Sequence, residues 1–438
     1  MFKRGLFIFS IIIASVSFGQ SDLSVAQAVS KALENNYQIK LIETNVQVSQ
    51  LQNNWGTAGM TPTFALNLGN SANLADNSNN PASFFPGVVF SDNLKLSLDM
   101  NWVIFNGFGI RINKQKFEQL EGQTKGNAIV VIENTIYETI IAYYTAVVQS
   151  RKLQVVKNLL KFSKDKLDYF KMKNKIGTST SFDLLEFENL VLSDSSSVLI
   201  QELALKNAKR NLNLLMAEGV EEEYNLTDKL EFVISNLSYD DLLNLMMKSN
   251  QNIKNQYYNL ELQDLNQQAQ KSAYYPVISL GLGASPSVGY IELLGDQGFS
   301  TNTNALNYYG TINAKYTLFN GWNRKRNTEI AKIQYQAATL QIDELKLKLS
   351  HQLKSIYELY VTQTKIESMT YKMVKHAEQL WNLGKEKYDL GLINVFNLND
   401  IKSSYQRTVL SYFDRLFDVL KTHYDLLRIS GQISQEYK

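Results

Sequence analysis

The feature that most constrains the fold is a strict alternation of apolar and polar residues that leads directly into a helical pattern. From Leu94 to Ile104 every second residue is apolar, and the residues between them are mostly polar or charged. A period of two over about eleven residues is typical of a tilted β-strand that crosses a lipid bilayer with one face toward lipid. Phe105-Asn106-Gly107 follows, and a long helical period then begins. The pattern predicts a membrane strand that feeds a long helix.

The same arrangement occurs a second time at a fixed offset. Phe319-Asn320-Gly321 repeats Phe105-Asn106-Gly107, and the offset is 319 − 105 = 214. Because many landmarks share one offset, the chain is predicted to be a tandem duplication. The other pairs at this offset are Leu23 and Leu237, Ser24 and Ser238, Asn36 and Asn250, Ile39 and Ile253, Pro62 and Pro276, Tyr143 and Tyr357, and Gly177 and Gly391.

The duplication predicts the organisation of the chain. Each repeat contains a helix, a β-hairpin, a long helix, a glycine-centred tip and a last helix. The predicted segments are a signal peptide at 1–19, a first repeat at 20–217 with its hairpin at 62–105 and tip near 177, a linker at 218–236, a second repeat at 237–430 with its hairpin at 276–319 and tip near 391, and a tail at 431–438. The polar residues 70–92 and the region 284–307 are predicted to be loops.

Residues 1–19 have the three parts of a secretory signal peptide. Lys3 and Arg4 precede an apolar core from Leu6 to Val16, and Ser17-Phe18-Gly19 is a small-x-small cleavage site. The alternative is an N-terminal membrane anchor, which the short apolar run disfavours. We therefore expect an exported protein whose membrane segments are strands.

Composition argues against several classes of function. The chain has no cysteine, which excludes disulfides and thiolate metal sites, and its formal net charge of +2 gives no sign of a nucleic-acid partner. The three histidines, His351, His376 and His423, lie far apart in sequence and are predicted to be ordinary surface or packing residues. No catalytic, metal or cofactor-binding motif is visible, so neither an enzyme nor a cofactor is expected.

Four predicted strands cannot close a barrel, and open sheet edges cannot face hydrocarbon. Other copies of the chain must therefore complete the barrel. Two copies would give eight strands and three copies would give twelve, and the residues alone do not decide between these two numbers. The two long helices, about 65 residues and about 100 Å each at 1.5 Å per residue, need partner helices along their length.

The duplication, the Phe-Asn-Gly strand ends and the glycine-centred tips resemble the TolC-like outer-membrane efflux protein family over nearly the whole mature chain. The resemblance implies a mixed α and transmembrane β fold, in which a homotrimer forms a twelve-stranded outer-membrane barrel continued by a periplasmic α-helical barrel. It also implies a periplasmic adaptor as partner and, through that adaptor, an inner-membrane pump of the RND, ABC or MFS class. The implied location is the outer membrane of a Gram-negative bacterium.

The resemblance also implies residue roles at the periplasmic end. Tyr388 matches a Tyr of the family's closed-state network, whereas the position of the family's Arg is Ile393 and that of one family Asp is Asn397. The expected mouth or gate residues are Asp183, Tyr388, Asn397 and Asp400, and the expected adaptor-contact tips are Gly177, Thr178, Ser179, Gly391, Leu392 and Ile393. The alternatives are helix-terminal carboxylates for the two aspartates and simple turn residues for the glycines.

The alternating strands predict which residues face the pore. Lys95, Asp99, Asn101, Asn313 and Lys315 are expected to line a water-filled barrel, against the alternative of an ordinary solvated sheet. The aromatic residues at the strand ends are expected to form a belt at the membrane interface, against ordinary junction packing for Phe105 and Phe319. The predicted belt consists of Trp102, Phe105, Tyr316, Phe319 and Trp322.

The leading prediction is a passive outer-membrane conduit of a tripartite efflux or type I secretion system. A structural coiled-coil envelope protein is the alternative from another class, and the period-two strands argue against it. An envelope enzyme is the weakest reading because no catalytic constellation is visible.

Overall fold

The computed structural model describes residues 21–84, 86–176, 181–230, 237–295 and 298–435. The helices are α1 (Val25–Asn35), α2 (Tyr37–Gln52), α3 (Gly109–Lys175), α4 (Ser181–Leu215), α5 (Tyr239–Ser249), α6 (Gln251–Ser272), α7 (Asn323–Asp389) and α8 (Val395–Ile429). The strands are β1 (Ser21–Leu23), β2 (Thr63–Asp76), β3 (Val88–Asn106), β4 (Tyr224–Leu226), β5 (Val277–Leu294) and β6 (Ser300–Lys315). The fold is therefore mixed α and β, and most of it is helical.

Two compact units divide the described residues. The first unit takes its residues from Met1–Lys40, Val131–Ser249 and His351–Lys438, and the second from Leu41–Val130 and Asn250–Ser350. The chain passes from one unit to the other within α2, α3 and α7, and between α5 and α6.

The first unit contains a core where α1, α3, α4 and α8 pack on a small parallel sheet. Strand β1 pairs with β4, with Leu23 opposite Leu226. Tyr143 of α3 is completely buried, and its hydroxyl donates to the backbone oxygen of Leu23 at 2.8 Å or to Asp228 Oδ2 at 2.7 Å. These bonds fasten the strand pair to the long helix, because a buried phenol needs a polar partner.

The second unit contains a four-stranded antiparallel sheet in the order β2-β3-β5-β6. The two hairpins meet at the central pair β3–β5, where Asp99 lies opposite Gly283, and a bulge lies between Val103 and Phe105. Strands β2 and β6, of 14 and 16 residues, are the edges of this sheet.

The strands extend well into the predicted loops. The loop predicted at 70–92 is too long at both ends, since β2 continues to Asp76 and β3 begins at Val88. The loop predicted at 284–307 is likewise too long, since β5 continues to Leu294 and β6 begins at Ser300. The polar composition of these segments hid them, because pairing of each backbone with the adjacent strand stabilises strand structure that local propensity does not favour. Strand β6 in turn ends at Lys315, so Tyr316 to Phe319 lie after the strand.

The first predicted helix is divided at one asparagine. Ser24 caps α1 with a capping box, in which its Oγ accepts from the backbone of Gln27. Asn36 then interrupts the helix, because its side chain donates to the oxygen of Leu215 at 2.8 Å and accepts from the backbone of Gln38 at 2.8 Å. Among the described residues, no helix has the length and apolar character needed to cross a membrane.

Candidate functional site

The first candidate site, in the first unit, is the end of α7. There Gly391 has φ +74°, and it terminates the helix with two hydrogen bonds. Its N–H donates to the oxygen of Tyr388 at 2.9 Å, and the N–H of Leu392 donates to the oxygen of Lys387 at 2.8 Å. This is the Schellman pattern, in which glycine is favoured because the left-handed conformation is costly for other residues.

A cleft of about 630 Å³ lies beside this turn. Its lining brings together the predicted residues Asp183, Tyr388, Gly391 and Ile393 from two distant parts of the chain. The phenol of Tyr388 packs between the aromatic rings of α3 and α4, with centroid distances of 6.4 Å to Phe170 and 6.1 Å to Phe187. The other lining residues are Asp165, Lys166, Tyr169, Lys173, Asp389, Asn394 and Val395.

The electrostatics of the cleft keep Tyr388 neutral. Burial raises the pKa of the Tyr388 phenol well above its usual value, and the negative charges of Asp183 and Asp389 raise it further. Lys166, which sequence reasoning missed, forms an ion pair with Asp389, and its ammonium lies 5.7 Å from the centre of the Tyr388 ring. The phenol can therefore donate a hydrogen bond in this cleft, and it stays uncharged at neutral pH.

Of the other described tip residues, Asn397, Asp400 and Leu392 are not part of the cleft lining. Asn397 and Asp400 are exposed on the first turns of α8, where the backbone N–H of Asn397 donates to Oδ1 of the cap residue Asn394 at 3.0 Å. Leu392 is 68% exposed, whereas Ile393, which lines the cleft, also packs on the cluster around Leu398. The predicted contacts Gly177, Thr178 and Ser179 lie outside the described residues.

The first unit also contains a buried charge cluster that the sequence did not reveal. Lys402 of α8 is 3% exposed, and its Nζ donates to Asp194 Oδ2 at 2.6 Å and to Ser163 Oγ at 3.0 Å. Ser163 Oγ in turn donates to the same carboxylate at 2.6 Å. The cluster joins α3, α4 and α8. In the sequence its three residues look like ordinary polar residues on a solvent-exposed helix face, so no pattern predicted their burial.

The second candidate site, in the second unit, is one face of the four-stranded sheet. Asp99 accepts hydrogen bonds from Asn67 at 2.8 Å and from Ser97 at 2.7 Å, and the hydroxyl of Tyr309 donates to it from β6. Tyr309 reaches Asp99 by lying over Gly283, where an added Cβ would be 2.4 Å from the ring.

The register places the predicted pore residues on the face of Asp99. Residues that pair directly share a face, and the pairs Asp99–Gly283 and Gly283–Tyr309 define this one. By alternation, Lys95 and Asn101 of β3 and Asn313 and Lys315 of β6 lie on it too. The opposite face is apolar and exposed, with Phe64 at 68%, Leu66 at 70% and Ile312 at 75%.

The predicted belt residues lie near the ends of the strands in two environments. Trp102 donates its indole N–H to the oxygen of Met60 at 2.8 Å, and Phe105 packs edge-to-face on Phe108 with centroids 5.4 Å apart. Phe319 and Trp322 are 68% and 65% exposed and form another edge-to-face pair at 5.9 Å. Tyr316 is 53% exposed.

None of these arrangements resembles a catalytic centre. Within the described part of the chain, no group of three or more His, Cys, Asp or Glu side chains could hold a metal ion. The described sheet has one polar face and one exposed apolar face, and the cleft is lined by aromatic and charged side chains.

Comparison with known proteins agrees with this geometry. Residues 242–432 match the family model described as outer membrane efflux protein. No curated protein sequence matches the chain. The matched segment covers most of the predicted second repeat, residues 237–430.

Solved structures share the fold over nearly the whole chain. The Campylobacter jejuni CmeC outer membrane channel superposes with a TM-score of 0.74 at 14% identity, covering 100% of this chain and 96% of that one. The Neisseria gonorrhoeae MtrE outer membrane channel, in its open state, superposes with a TM-score of 0.71 at 16% identity, covering 94% of this chain and 90% of that one. The outer membrane protein VceC from Vibrio cholerae superposes with a TM-score of 0.69 at 16% identity, covering 93% of this chain and 96% of that one.

The family match over residues 242–432 and the shared fold make the chain similar to the TolC-like outer-membrane channels. Residues 242–432 carry the sequence pattern of the outer membrane efflux protein family, and the described chain has the fold of its solved channels. The resemblance predicted from the sequence is thereby confirmed.

Proposed function

We propose that the chain is the outer-membrane channel of a tripartite efflux or type I secretion system. In this function three copies form a passive conduit across the outer membrane and periplasm of a Gram-negative bacterium, and an inner-membrane pump drives the substrate through it. The structural relatives are outer membrane channels, which supports this assignment. The function requires no catalytic residue and no cofactor.

The observation that carries the proposal is the two-faced sheet with two long edges. One face is polar around Asp99, and the other exposes apolar residues such as Leu66 and Ile312. Backbone groups at an edge cannot remain unpaired in hydrocarbon, so β2 of one copy is proposed to pair with β6 of the next. Three copies would then close a twelve-stranded barrel with the polar face toward the lumen.

The proposed duplication is supported by the positions of the helices. The bounds of α5, α7 and α8 equal those of α1, α3 and α4 plus 214, for example 323 − 109 = 214 for the first residues of α7 and α3. The hydroxyl of Tyr357 donates to the oxygen of Leu237 as that of Tyr143 donates to the oxygen of Leu23, in each case across 120 residues.

The tip is proposed to be the periplasmic mouth. Asp183, Tyr388, Asn397 and Asp400 would narrow it and select cations, and the exposed Leu392 beside Gly391 would contact a periplasmic adaptor. Ile393 packs into the cluster around Leu398, and this apolar contact would stabilise the turn in place of the family's arginine network. The pump, of the RND, ABC or MFS class, would be reached through the adaptor.

Disulfide trapping tests the proposed closure directly, because the natural chain has no cysteine. One cysteine replaces Asn67 in β2, and a second replaces Asn307 or Thr311 in β6, so that several registers are sampled. Within one copy these strands are separated by two others, about 14 Å at 4.8 Å per strand, which is too far for a disulfide.

Oxidation is expected to give covalent trimers from a paired variant and no cross-link from Asn67→Cys alone. Purified trimers in a planar bilayer are expected to conduct. Material that stays monomeric, or trimers without conductance, would favour the alternative of a structural envelope protein.

A further inference from the structure

A cluster of three bases lies where β6 gives way to α7. Arg324, Lys325 and Arg326 follow one another directly in the first turn of the helix. In the described part of the chain, none of the three forms an ion pair with a carboxylate. The nearest acidic residue that follows, Glu329, is paired with Lys332 at 3.6 Å. The cluster therefore concentrates positive charge that no carboxylate among the described residues neutralises by an ion pair.

Aromatic rings surround these bases. The guanidinium of Arg324 lies 5.3 Å from the ring centre of Tyr274 and 5.8 Å from that of Tyr316. The ammonium of Lys325 lies 5.9 Å from the ring centre of Trp322. Tyrosine and tryptophan beside bases are the residues that proteins place at the level of lipid headgroups.

The three bases have different roles. Arg324 is fixed, since it donates to the backbone oxygens of Ala273, at 3.2 Å, and Thr317. Lys325 and Arg326 are exposed, and Arg326 donates to the side chain of Asn323. Arg324 thus holds the strand end against the helix, and the other two present charge to the surroundings.

A small cleft accompanies the charges. It has a volume of about 280 Å³, and its lining includes Tyr316, Phe319, Trp322, Arg324 and Lys325. This volume suits a headgroup rather than a large solute. Guanidinium and ammonium groups are the side chains that bind phosphate oxygens.

The first repeat lacks this cluster. At the offset of 214, the positions of the three bases are taken by Ile110, Arg111 and Ile112. The strand-to-helix turn is otherwise alike, with left-handed Gly107 and Phe108 matching Gly321 and Trp322. The turn geometry therefore does not require the bases, which points to a ligand of the second repeat only.

We propose that Arg324, Lys325 and Arg326, with the rings of Tyr316 and Trp322, bind the phosphate of an anionic glycerophospholipid in the periplasmic leaflet of the outer membrane. This inference rests on the proposed function, which places the strand-to-helix junction at the periplasmic surface of the membrane. The exposed apolar face of β6 continues from this cleft, with Ile312 75% exposed, and would take the acyl chains.

The test compares lipid retention by wild-type trimers and by the double variant Lys325→Gln/Arg326→Gln. Trimers are purified from mixed micelles of phosphatidylglycerol and phosphatidylcholine, and the bound lipid is weighed by native mass spectrometry. The wild type is expected to retain phosphatidylglycerol selectively, and the variant to bind it on the order of 30-fold more weakly, as expected for two bases at a membrane surface. The control Lys332→Gln/Lys348→Gln removes the same charge from exposed positions of α7 and should retain wild-type selectivity.

Three results would overturn the inference. The first is equal retention of phosphatidylglycerol by the wild type and the double variant. The second is displacement of the bound lipid by millimolar inorganic phosphate. The third is protection of Lys325→Cys from an aqueous maleimide in lipid-free trimers, because that protection would place the cluster in a subunit interface. If the double variant gives few trimers, Lys325→Gln alone is measured with the same expected direction. Conductance of the wild-type trimers separates the two proposals. Wild-type trimers that conduct but retain phosphatidylglycerol and phosphatidylcholine equally would contradict this inference and leave the proposed function intact, whereas trimers that do not conduct would contradict the proposed function.

Discussion

The hydroxyl of Tyr309 donates a hydrogen bond to the carboxylate of Asp99, although 210 residues separate the two in sequence. The tyrosine ring crosses the backbone of Gly283 on the intervening strand, where no Cβ could fit beneath it. An aromatic ring that covers a strand glycine restores packing that the glycine lacks. The contact therefore joins the two hairpins of the sheet through side chains as well as through backbone pairing.

Replacing Gly283 by alanine should destabilise the sheet. The new methyl group would lie 2.4 Å from the Tyr309 ring, so the ring must leave and its bond to Asp99 is lost. We expect the free energy of unfolding to fall by about 1–3 kcal/mol. Urea unfolding followed by tryptophan fluorescence measures it. Gly69→Ala is the matched control, since nothing lies within 4 Å of its added Cβ, and equal losses in both variants would refute the argument.

Replacing Lys402 by alanine should strongly destabilise the first unit. The change leaves the Asp194 carboxylate buried without its cation, at a cost of about 3–5 kcal/mol. The double variant Lys402→Met/Asp194→Leu should recover most of that loss, because it removes both charges. Thermal unfolding monitored by circular dichroism measures the effect, and the exposed pair Lys354–Glu358 provides the control through Lys354→Ala. A Lys402→Ala protein as stable as this control would show that the cluster contributes little.

The effect of a substitution at Gly391 should depend on how readily the new residue adopts the left-handed backbone conformation. Its φ of +74° is strained for any side chain, whereas the space around it is open. Gly391→Asn should be tolerated, because Asn adopts the left-handed conformation more readily than other residues with side chains. Gly391→Val should lower the free energy of unfolding by about 1–2 kcal/mol. It should also abolish efflux, although trimers still form. Drug susceptibility of cells carrying each variant, together with trimer yield, provides the measurement. Normal resistance with Gly391→Val would argue against a role of this turn in transport.

Removing acidic residues at the proposed mouth should weaken block by cations. Asp400→Ala or Asp183→Asn takes one charge per copy from the ring, so we expect about fivefold weaker block, which corresponds to about 1 kcal/mol between unit charges in a solvated site. Single-channel recording with a multivalent cation on the periplasmic side measures it. Glu358→Ala, an exposed residue of α7, should leave the block constant unchanged. Unaltered block in both variants would contradict the assignment of these two aspartates to the periplasmic mouth.

His423 should make the folded protein less stable in mild acid. Burial lowers its pKa from 6.5 to about 4, so between these values the unfolded chain binds a proton that the folded chain does not. Stability is therefore lost as pH falls through this window, by about 2 kcal/mol at pH 5. His423→Leu should flatten the change in urea midpoint between pH 7 and pH 5, whereas His376→Leu, at an exposed position, should not. Identical pH profiles for His423→Leu and the wild type would contradict the assignment.

Local patterns in the sequence predicted several parts of the fold. The period of two in β3 and the long helical periods after Phe-Asn-Gly gave the order of strand and helix, because alternation and helical spacing reflect which face is buried. Strand ends were missed at residues 70–76 and 300–307, where the residues are polar and pairing with a neighbour, rather than propensity, forms the strand. The break at Asn36 was missed for a similar reason, since Leu215 accepts its side-chain hydrogen bond from far along the chain.

By itself the sequence determined the alternating strand, the recurrence at 214 residues and a tip glycine, since each depends on neighbours along the chain. Only the tertiary structure decided that Tyr388 shares a cleft with Asp183 and Lys166, that Lys402 meets Asp194, and that Tyr309 covers Gly283. The physical reason is that these contacts join residues about 26 to over 200 positions apart. Their geometry depends on helix packing and strand register, and a single sequence carries no local signal of either.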